Sequence, residues 1–310
     1  MTIQTAPKLT LLPKYASTEV VKPGTRVGKG GNPHHYLVDG VKHSRVTTIL
    51  NDTMPKSALV PWATRLGVEK MAQMVFDHPL IDDESLSHAE YLHYLAELAY
   101  SEPEAVKDAA ADWGTRAHQA VQAHIDHTIR GEPYVPDPEM TQTVEGFSAF
   151  DQSLNIQWLA TELTVWDDDL LVAGTVDGIG WSPTGWVIAD WKTGRGHYPE
   201  MALQLSAYAA MFGRITGETI THGYVVRFPR EQPVNTSICA SCSGSGLNIT
   251  QKIPDIDIRS YCAGCSGTGL AQPTTFEARQ VADLKLGWTR YQALVAQRAY
   301  VKAGVWTRDN

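Results

Sequence analysis

Apolar and polar residues follow the pattern of a β-sheet most clearly in the middle of the chain. Residues 172–181 and 186–192 are rich in β-branched and aromatic side chains, and Ser182 to Gly185 between them are typical of a turn. The pattern predicts a β-hairpin, preceded by a strand over residues 158–166. Because the hairpin is apolar on both faces, we expect helices to cover both sides of the sheet.

The flanking regions follow a helical period and predict the remaining elements. They are a short hairpin at 35–41, helices over 57–130 with breaks near 77–79 and 102–103, a helix at 139–154, a helix at 201–212 entered through Pro199, a last strand at 222–229, and a closing helix at 276–303. The predicted fold class is therefore α/β, with a mixed sheet flanked by helices.

The register of the central hairpin brings two acidic residues together. If Trp181 and Trp186 flank the turn as a pair, Asp177 lies directly opposite Asp190, with Cβ atoms roughly 5 Å apart. Lys192 emerges on the same side as Asp190, because side chains alternate along a strand. Paired carboxylates need a compensating cation, and two oxygen ligands suit Mg²⁺ or Mn²⁺. A solvated hairpin with surface acids is the alternative, and the apolar residues on both faces count against it.

Five short motifs give the chain a family resemblance. They are GTRAH at 114–118, Glu162, GTVDG at 174–178, DWKTG at 190–194 and QLSAY at 204–208. In this order they resemble the successive motifs of the RecB-like and Cas4-like branch of the PD-(D/E)XK nucleases, closest to the exonuclease-type members found in bacteriophages. The resemblance covers roughly residues 30–230. It implies a restriction-endonuclease-like fold and metal-dependent hydrolysis of DNA.

The resemblance also assigns roles to single residues. It implies catalytic Asp177, Asp190 and Lys192; metal ligands His118, Asp177, Asp190 and the backbone carbonyl of Trp191; an auxiliary Glu162; and DNA contacts from Gln204, Tyr208 and Arg116. Lys192 would orient the attacking water or stabilise charge on the phosphate oxygens. The alternatives are a surface histidine, a surface glutamate, a core tyrosine and a solvated arginine.

All four cysteines of the chain fall in one segment. Cys239, Cys242, Cys262 and Cys265 have the spacing Cys-x2-Cys-x19-Cys-x2-Cys, which is typical of a tetrahedral Zn²⁺ site. The Gly-containing repeats after each pair resemble the zinc knuckles of DnaJ-type co-chaperones. Disulfides and an iron–sulfur cluster are the alternatives. Two symmetrical pairs downstream of the nuclease motifs favour zinc, because Cas4-like nucleases with clusters usually place one cysteine far upstream.

Composition narrows the remaining possibilities. The net charge of −8 argues against a basic coat for nucleic acid but permits a local basic groove. No apolar run is long enough to span a membrane and no signal peptide is evident, so we expect a cytoplasmic protein, in the host cytoplasm if phage-encoded. The glycines at 28–31 lack the spacing of a phosphate-binding loop, so no ATP motor is expected.

The predicted organisation has four parts: an N-terminal arm at 1–35, a nuclease domain at 36–235, a zinc-knuckle insertion at 236–272, and a C-terminal helix at 273–310 packed on the nuclease domain. The predicted function is a metal-dependent DNA exonuclease acting in recombination, repair or phage replication, with recombination or replication proteins as further partners. The alternatives are an endonuclease of the same fold, a non-catalytic nucleic-acid-binding module, and a zinc adaptor for protein partners.

Overall fold

The computed structural model describes residues 6–23, 35–54, 56, 59–77, 88–131, 133–230, 247–253, 256–261 and 276–302. The strands are β1 Val20–Val21, β2 Tyr36–Val38, β3 Val41–Arg45, β4 Gln157–Asp167, β5 Val172–Ser182, β6 Gly185–Lys192, β7 Ile220–Arg227, β8 Leu247–Ile253, β9 Ile256–Tyr261 and β10 Glu277–Gln280. The helices are α1 Val46–Thr53, α2 Leu59–Asp77, α3 His88–Arg130, α4 Thr141–Leu154, α5 Pro199–Thr216 and α6 Leu284–Lys302.

The described residues form one eight-stranded mixed sheet. Its order is β1-β2-β3-β5-β6-β7-β10, and β4 pairs with β5 beside this path. The β3–β5 and β6–β7 pairs are parallel, while the others are antiparallel. The predicted α/β class with a mixed sheet is confirmed.

Strand β5 changes its partner along one edge. Strand β4 follows the whole length of β5 on the other edge, with pairs from Asp167↔Val172 to Gln157↔Trp181. On the first edge, β3 pairs with residues 172–173 of β5 and β6 pairs with residues 178–182. Residues 174–177, which include Asp177, therefore lie between the two partner strands.

Helices cover both faces of the sheet, as the apolar pattern predicts. Helix α5 packs on one face, and α1 and α6 pack against α5. On the opposite face, α3 and α4 cover an aromatic cluster that includes Phe147, Phe150, Trp158 and Trp191. The central strand β6 is consequently buried over almost its whole length.

The N-terminal segment is more closely packed than an arm. Tyr15 is buried edge-on against Trp166, and the Leu12 amide donates to the Ile215 carbonyl at 2.8 Å. Strand β1 then extends the sheet by pairing with β2. Residues 6–23 thus pack on the fold, with Tyr15 as their buried contact.

Helix α3 runs through Pro103, so the predicted break at 102–103 was wrong. Proline lacks an N–H, which leaves the Ala99 carbonyl, four residues earlier, without its helical donor. That carbonyl lies against Gly67 of α2, where a Cβ would come within 3.4 Å of it. Lys70 of α2 also pairs with Glu102 at 3.4 Å. Packing of α2 along α3 therefore supports the helix across the proline.

The C-terminal part differs from a single closing helix. Residues 277–280 form the edge strand β10, which pairs antiparallel with β7 before α6 begins. Arg227 of β7 donates hydrogen bonds from Nε and Nη2 to the two carboxylate oxygens of Glu277. The expected last strand at 222–229 is thus followed by one more. Strands β8 and β9 form a separate two-stranded ladder.

Candidate active site

The central hairpin has the register expected from the sequence. Trp181 pairs with Trp186, and the antiparallel ladder continues to Gly178↔Ala189. Asp177 and Asp190 lie one step beyond this last pair, where β5 leaves β6. The carboxylate of Asp177 uses the space between the strands to accept a hydrogen bond from the Trp191 amide, at 2.7 Å.

Asp190 is the most deeply buried acid of the site, with 2% of its surface exposed. Its Oδ1 accepts a hydrogen bond from Gln204 Nε2 at 3.0 Å. Its Oδ2 lies 2.5 Å from Lys192 Nζ, a close ionic contact. This ammonium is the charged partner of a buried carboxylate oxygen that accepts no other hydrogen bond within the described residues.

His118 belongs to α3, on the face of the sheet opposite α5, and reaches the site from there. Its Nδ1 lies 3.5 Å from Asp177 Oδ2. One turn earlier, Gly114 faces the end of β6, where a Cβ would come within 3.1 Å of Thr193 Oγ1. The small residue at 114 therefore allows α3 to approach the hairpin closely enough for the histidine to meet the acid.

Burial and charge act differently on the two carboxyl groups. Burial raises the pKa of Asp177, but His118, Lys192 and the Trp191 amide outweigh it and hold the pKa below its usual range. Burial also raises the pKa of Asp190, and Lys192 does not fully offset the combined effect of burial and of the Asp177 charge. The environment therefore favours an ionised Asp177 more strongly than an ionised Asp190.

The neighbouring carboxylates raise the pKa of both basic groups of the site. Burial lowers the pKa of His118, but the adjacent Asp177 raises it more, and the net pKa is above the ordinary value. The pKa of Lys192 is likewise raised, because Asp190 and Asp177 outweigh the effect of burial. Lys192 thus supplies the positive charge that the paired acids require in this structure.

Tyr208 supports the site from inside the core. Its ring is only 4% exposed, and its hydroxyl accepts a hydrogen bond from Gln204 Nε2 at 3.2 Å. Burial raises the pKa of this hydroxyl well above its usual range. In this position Tyr208 holds Gln204 against Asp190, and its expected DNA contact stays a prediction.

The first glycine of the GTVDG motif, Gly174, is required for a steric reason. A Cβ at Gly174 would lie 2.2 Å from the Cε1 atom of Tyr208, which is closer than any real contact. Gly178 has a similar role on the other face, where a Cβ would come within 2.8 Å of Trp158 and 2.9 Å of Trp191. The motif glycines therefore make room for large side chains that fix the hairpin.

Glu162 lies at the edge of the site and has a partner that the sequence did not reveal. Its backbone adopts a positive φ of 52°. Lys22 donates to the Glu162 carbonyl at 2.9 Å and lies 3.3 Å from its carboxylate. Nearby, the Tyr36 hydroxyl shares a hydrogen bond with Thr175 Oγ1 at 2.8 Å. Both Lys22 and Tyr36 come from the N-terminal part of the chain, where no motif marks them.

Arg116 is not brought to the acids. Its guanidinium binds Asp137 and Glu139, each at 2.7 Å, and these contacts raise its pKa. The Arg116 guanidinium, which was expected to contact phosphate, is therefore already paired with two carboxylates. The predicted zinc ligands Cys239, Cys242, Cys262 and Cys265 lie outside the described residues.

The donor set of the site fits a hard divalent cation. Asp177 and Asp190 would supply carboxylate oxygens, and a neutral His118 would supply an imidazole nitrogen. In the described ranges, no group of three or more His, Cys, Asp or Glu side chains has the arrangement of a metal site. In this arrangement the ammonium of Lys192 lies against Asp190 instead.

Together, the fold and the site define the class of protein: two acids and a lysine on one hairpin of a mixed sheet are typical of a hydrolytic nuclease. A family model described as the PD-(D/E)XK nuclease superfamily matches residues 70–234, more than half of the chain. The chain belongs to this superfamily, as the motifs predicted.

The other comparisons add little. A search among curated proteins found no match. One solved structure, described as "Crystal structure of SSO0001", is similar at 13% identity with a TM-score of 0.25, over 76% of this chain and 85% of that one. Among the described helices, none is long and apolar enough to cross a membrane.

Proposed function

We propose that this protein is a metal-dependent deoxyribonuclease of the RecB-like and Cas4-like type, and that it acts on DNA ends. The observation that carries the proposal is the convergence of Asp177, Asp190, Lys192 and His118, in which a buried Asp190 oxygen has the Lys192 ammonium as its charged partner. Membership of a nuclease superfamily supports hydrolysis. The motifs support the finer assignment, including the phage-type relatives.

The proposed ligands of Mg²⁺ or Mn²⁺ are Asp177, Asp190, His118 and the backbone carbonyl of Trp191. When bound, the cation polarises the phosphate and lowers the pKa of a coordinated water. Gln204 fixes the orientation of Asp190, and the Trp191 amide fixes that of Asp177. Both carboxylates are thereby oriented before substrate binds, which reduces the reorganisation needed for reaction.

Lys192 provides the mobile positive charge of the site. Its ammonium is held charged beside Asp190 and belongs to a flexible side chain with three donors. We propose that it orients the attacking water or stabilises the charge that develops on the phosphate oxygens. We propose that His118, which contacts Asp177, is a ligand of the metal ion and does not accept a proton from Lys192.

Linear DNA is expected to be degraded from its ends to short products, while covalently closed circles resist. The physical basis is that the described part of the chain has no base-reading element, which a sequence-specific endonuclease would need. The test compares a closed circular plasmid with the same plasmid linearised by one cut, both with Mg²⁺ or Mn²⁺, on an agarose gel.

A nicked circle and the Asp190→Asn protein serve as controls for strand ends and for contaminating nucleases. Cleavage of closed circles at the rate of linear DNA, or discrete internal fragments from the linear form, would show an endonuclease. No metal-dependent digestion of either form would favour a non-catalytic DNA-binding module or a zinc adaptor.

We also propose that residues 236–272 form a structural zinc insertion. The β8–β9 ladder supports this, because it pairs Leu247 with Tyr261, the described residues that follow Cys242 and precede Cys262 in the chain. Purified protein is expected to contain about one zinc per chain and to be colourless. Elemental analysis measures this, with a Cys242→Ser/Cys265→Ser protein as control. Iron with a matching amount of sulfide would show that the cysteines hold an iron–sulfur cluster and not zinc.

A further inference from the structure

A pocket separate from the active site lies between α6, α1, β3 and the start of β5. Its volume is about 220 Å³, and its walls include Lys42, Ser44, Leu171, Val295, Arg298 and Lys302. A water molecule accounts for about 30 Å³ of liquid. The pocket is therefore large enough for a phosphate group and part of the attached sugar.

The charge of this pocket is opposite to that of the whole protein. The chain carries a net charge of −8, yet the pocket is lined by three cationic side chains and no acidic one. Helix α6, which forms one wall, has no acidic residue along its length. Long-range attraction by the protein as a whole does not account for an anion here, so binding would depend on these local cations.

The three cationic side chains of the pocket differ in their partners. Arg298 is held in place by Asp52 at 2.7 Å and by the Ser44 hydroxyl at 3.2 Å, and only 16% of its side chain is exposed. Lys42 and Lys302 are exposed, and neither has an ion-pair partner within the described residues. One oriented guanidinium and two free ammonium groups match the oxygens of a phosphate.

The pocket also lies at a distance that suits an extended nucleic acid. Val172 lines the pocket and Asp177 lies five positions further along β5, which corresponds to about 17 Å of strand. One strand of duplex DNA advances about 3.4 Å per nucleotide, so this distance corresponds to about five nucleotides. Exposed Arg45 follows Ser44 along the chain, toward the Tyr36 and Thr175 pair beside the active site.

We infer that this pocket, formed by Lys42, Arg298, Lys302 and Ser44, binds a backbone phosphate of the DNA about five nucleotides from the phosphate at the active site. The inference rests on the proposed nuclease function and adds a contact that anchors the substrate without taking part in its chemistry. The apolar wall of Leu171 and Val295 accommodates the sugar.

The test measures DNA binding by fluorescence anisotropy in EDTA, as a function of salt, on an end-labelled duplex. The Lys42→Ala/Lys302→Ala protein is expected to bind about tenfold more weakly at low salt. The slope of log affinity against log salt is expected to become shallower by about one. The matched control is Lys285→Ala/Arg290→Ala, which removes the same charge from the exposed N-terminal half of α6.

A second measurement locates the contact. A neutral methylphosphonate linkage about five nucleotides from the bound end is expected to weaken binding by the wild type but not by the pocket variant. Equal salt slopes for the pocket and control variants would overturn the inference. So would a pocket variant that loses affinity for adenosine monophosphate while its DNA slope is unchanged, because the pocket would then hold a free nucleotide. If the wild type shows the pocket-dependent slope but digests no DNA, the nuclease proposal fails and the phosphate pocket stands.

Discussion

Replacement of Lys192 by methionine is expected to lower kcat for DNA hydrolysis about 10²- to 10³-fold. Loss of one donor that stabilises transition-state charge typically has an effect of this size. Asp177→Asn and Asp190→Asn are expected to lose at least as much, because each removes an oxygen ligand. The fold should survive in Lys192→Met. Asp190 keeps its hydrogen bond from Gln204, and its buried carboxyl can neutralise by taking up a proton.

The measurement is the initial rate on linear DNA with Mg²⁺ or Mn²⁺, alongside circular dichroism of each variant. Lys56→Met serves as the matched control, because Lys56 is exposed. Near-wild-type digestion by folded Lys192→Met or Asp177→Asn would exclude the proposed site. A loss of helical signal in step with activity would show instead that the residue acts on the fold.

Gly174→Ala is expected to destabilise the protein by about 1–3 kcal/mol and to lower activity, because the new methyl group overlaps the buried ring of Tyr208. The ring holds Gln204, and Gln204 holds Asp190, so displacement of the ring disturbs the acid as well. Urea denaturation and the rate on linear DNA measure the two effects separately.

Gly194→Ala is the matched control for stability, because a Cβ at Gly194 meets nothing within 4 Å. The double variant Gly174→Ala/Tyr208→Ala tests the cause. Once the ring is removed, the methyl group has space, so the double variant should be no less stable than Tyr208→Ala alone. Strictly additive losses would mean that the glycine is required for another reason.

Sequence reasoning succeeded where local chemistry determines structure. The turn at residues 182–185, with Trp181 and Trp186 paired across it, sufficed for the hairpin register, so the position of Asp177 beside Asp190 followed from counting. The placement of His118 near the acids came instead from the resemblance of Gly-x-x-x-His to a family motif, because the histidine and the acids are far apart in the chain.

The failures concern contacts between distant segments. Strand β10 has the polar sequence EARQ, which carries no strand pattern, and it forms because the edge of β7 and Arg227 provide partners. Pro103 remains helical because α2 packs beside it. Lys22 reaches Glu162 over 140 positions, and burial of Tyr208 depends on Gly174 in another element. Residue patterns within one segment do not encode such neighbours.

The aromatic cluster behind the hairpin also makes the site optically visible. Trp191 stands between Asp190 and Lys192 in the chain, and its buried indole meets that of Trp158 at 5.5 Å and 72°. Two indoles held at this distance and angle are coupled electronically and give a circular dichroism signal of their own. The ultraviolet spectrum of the unlabelled protein therefore reports on the strand that carries two of its proposed catalytic residues.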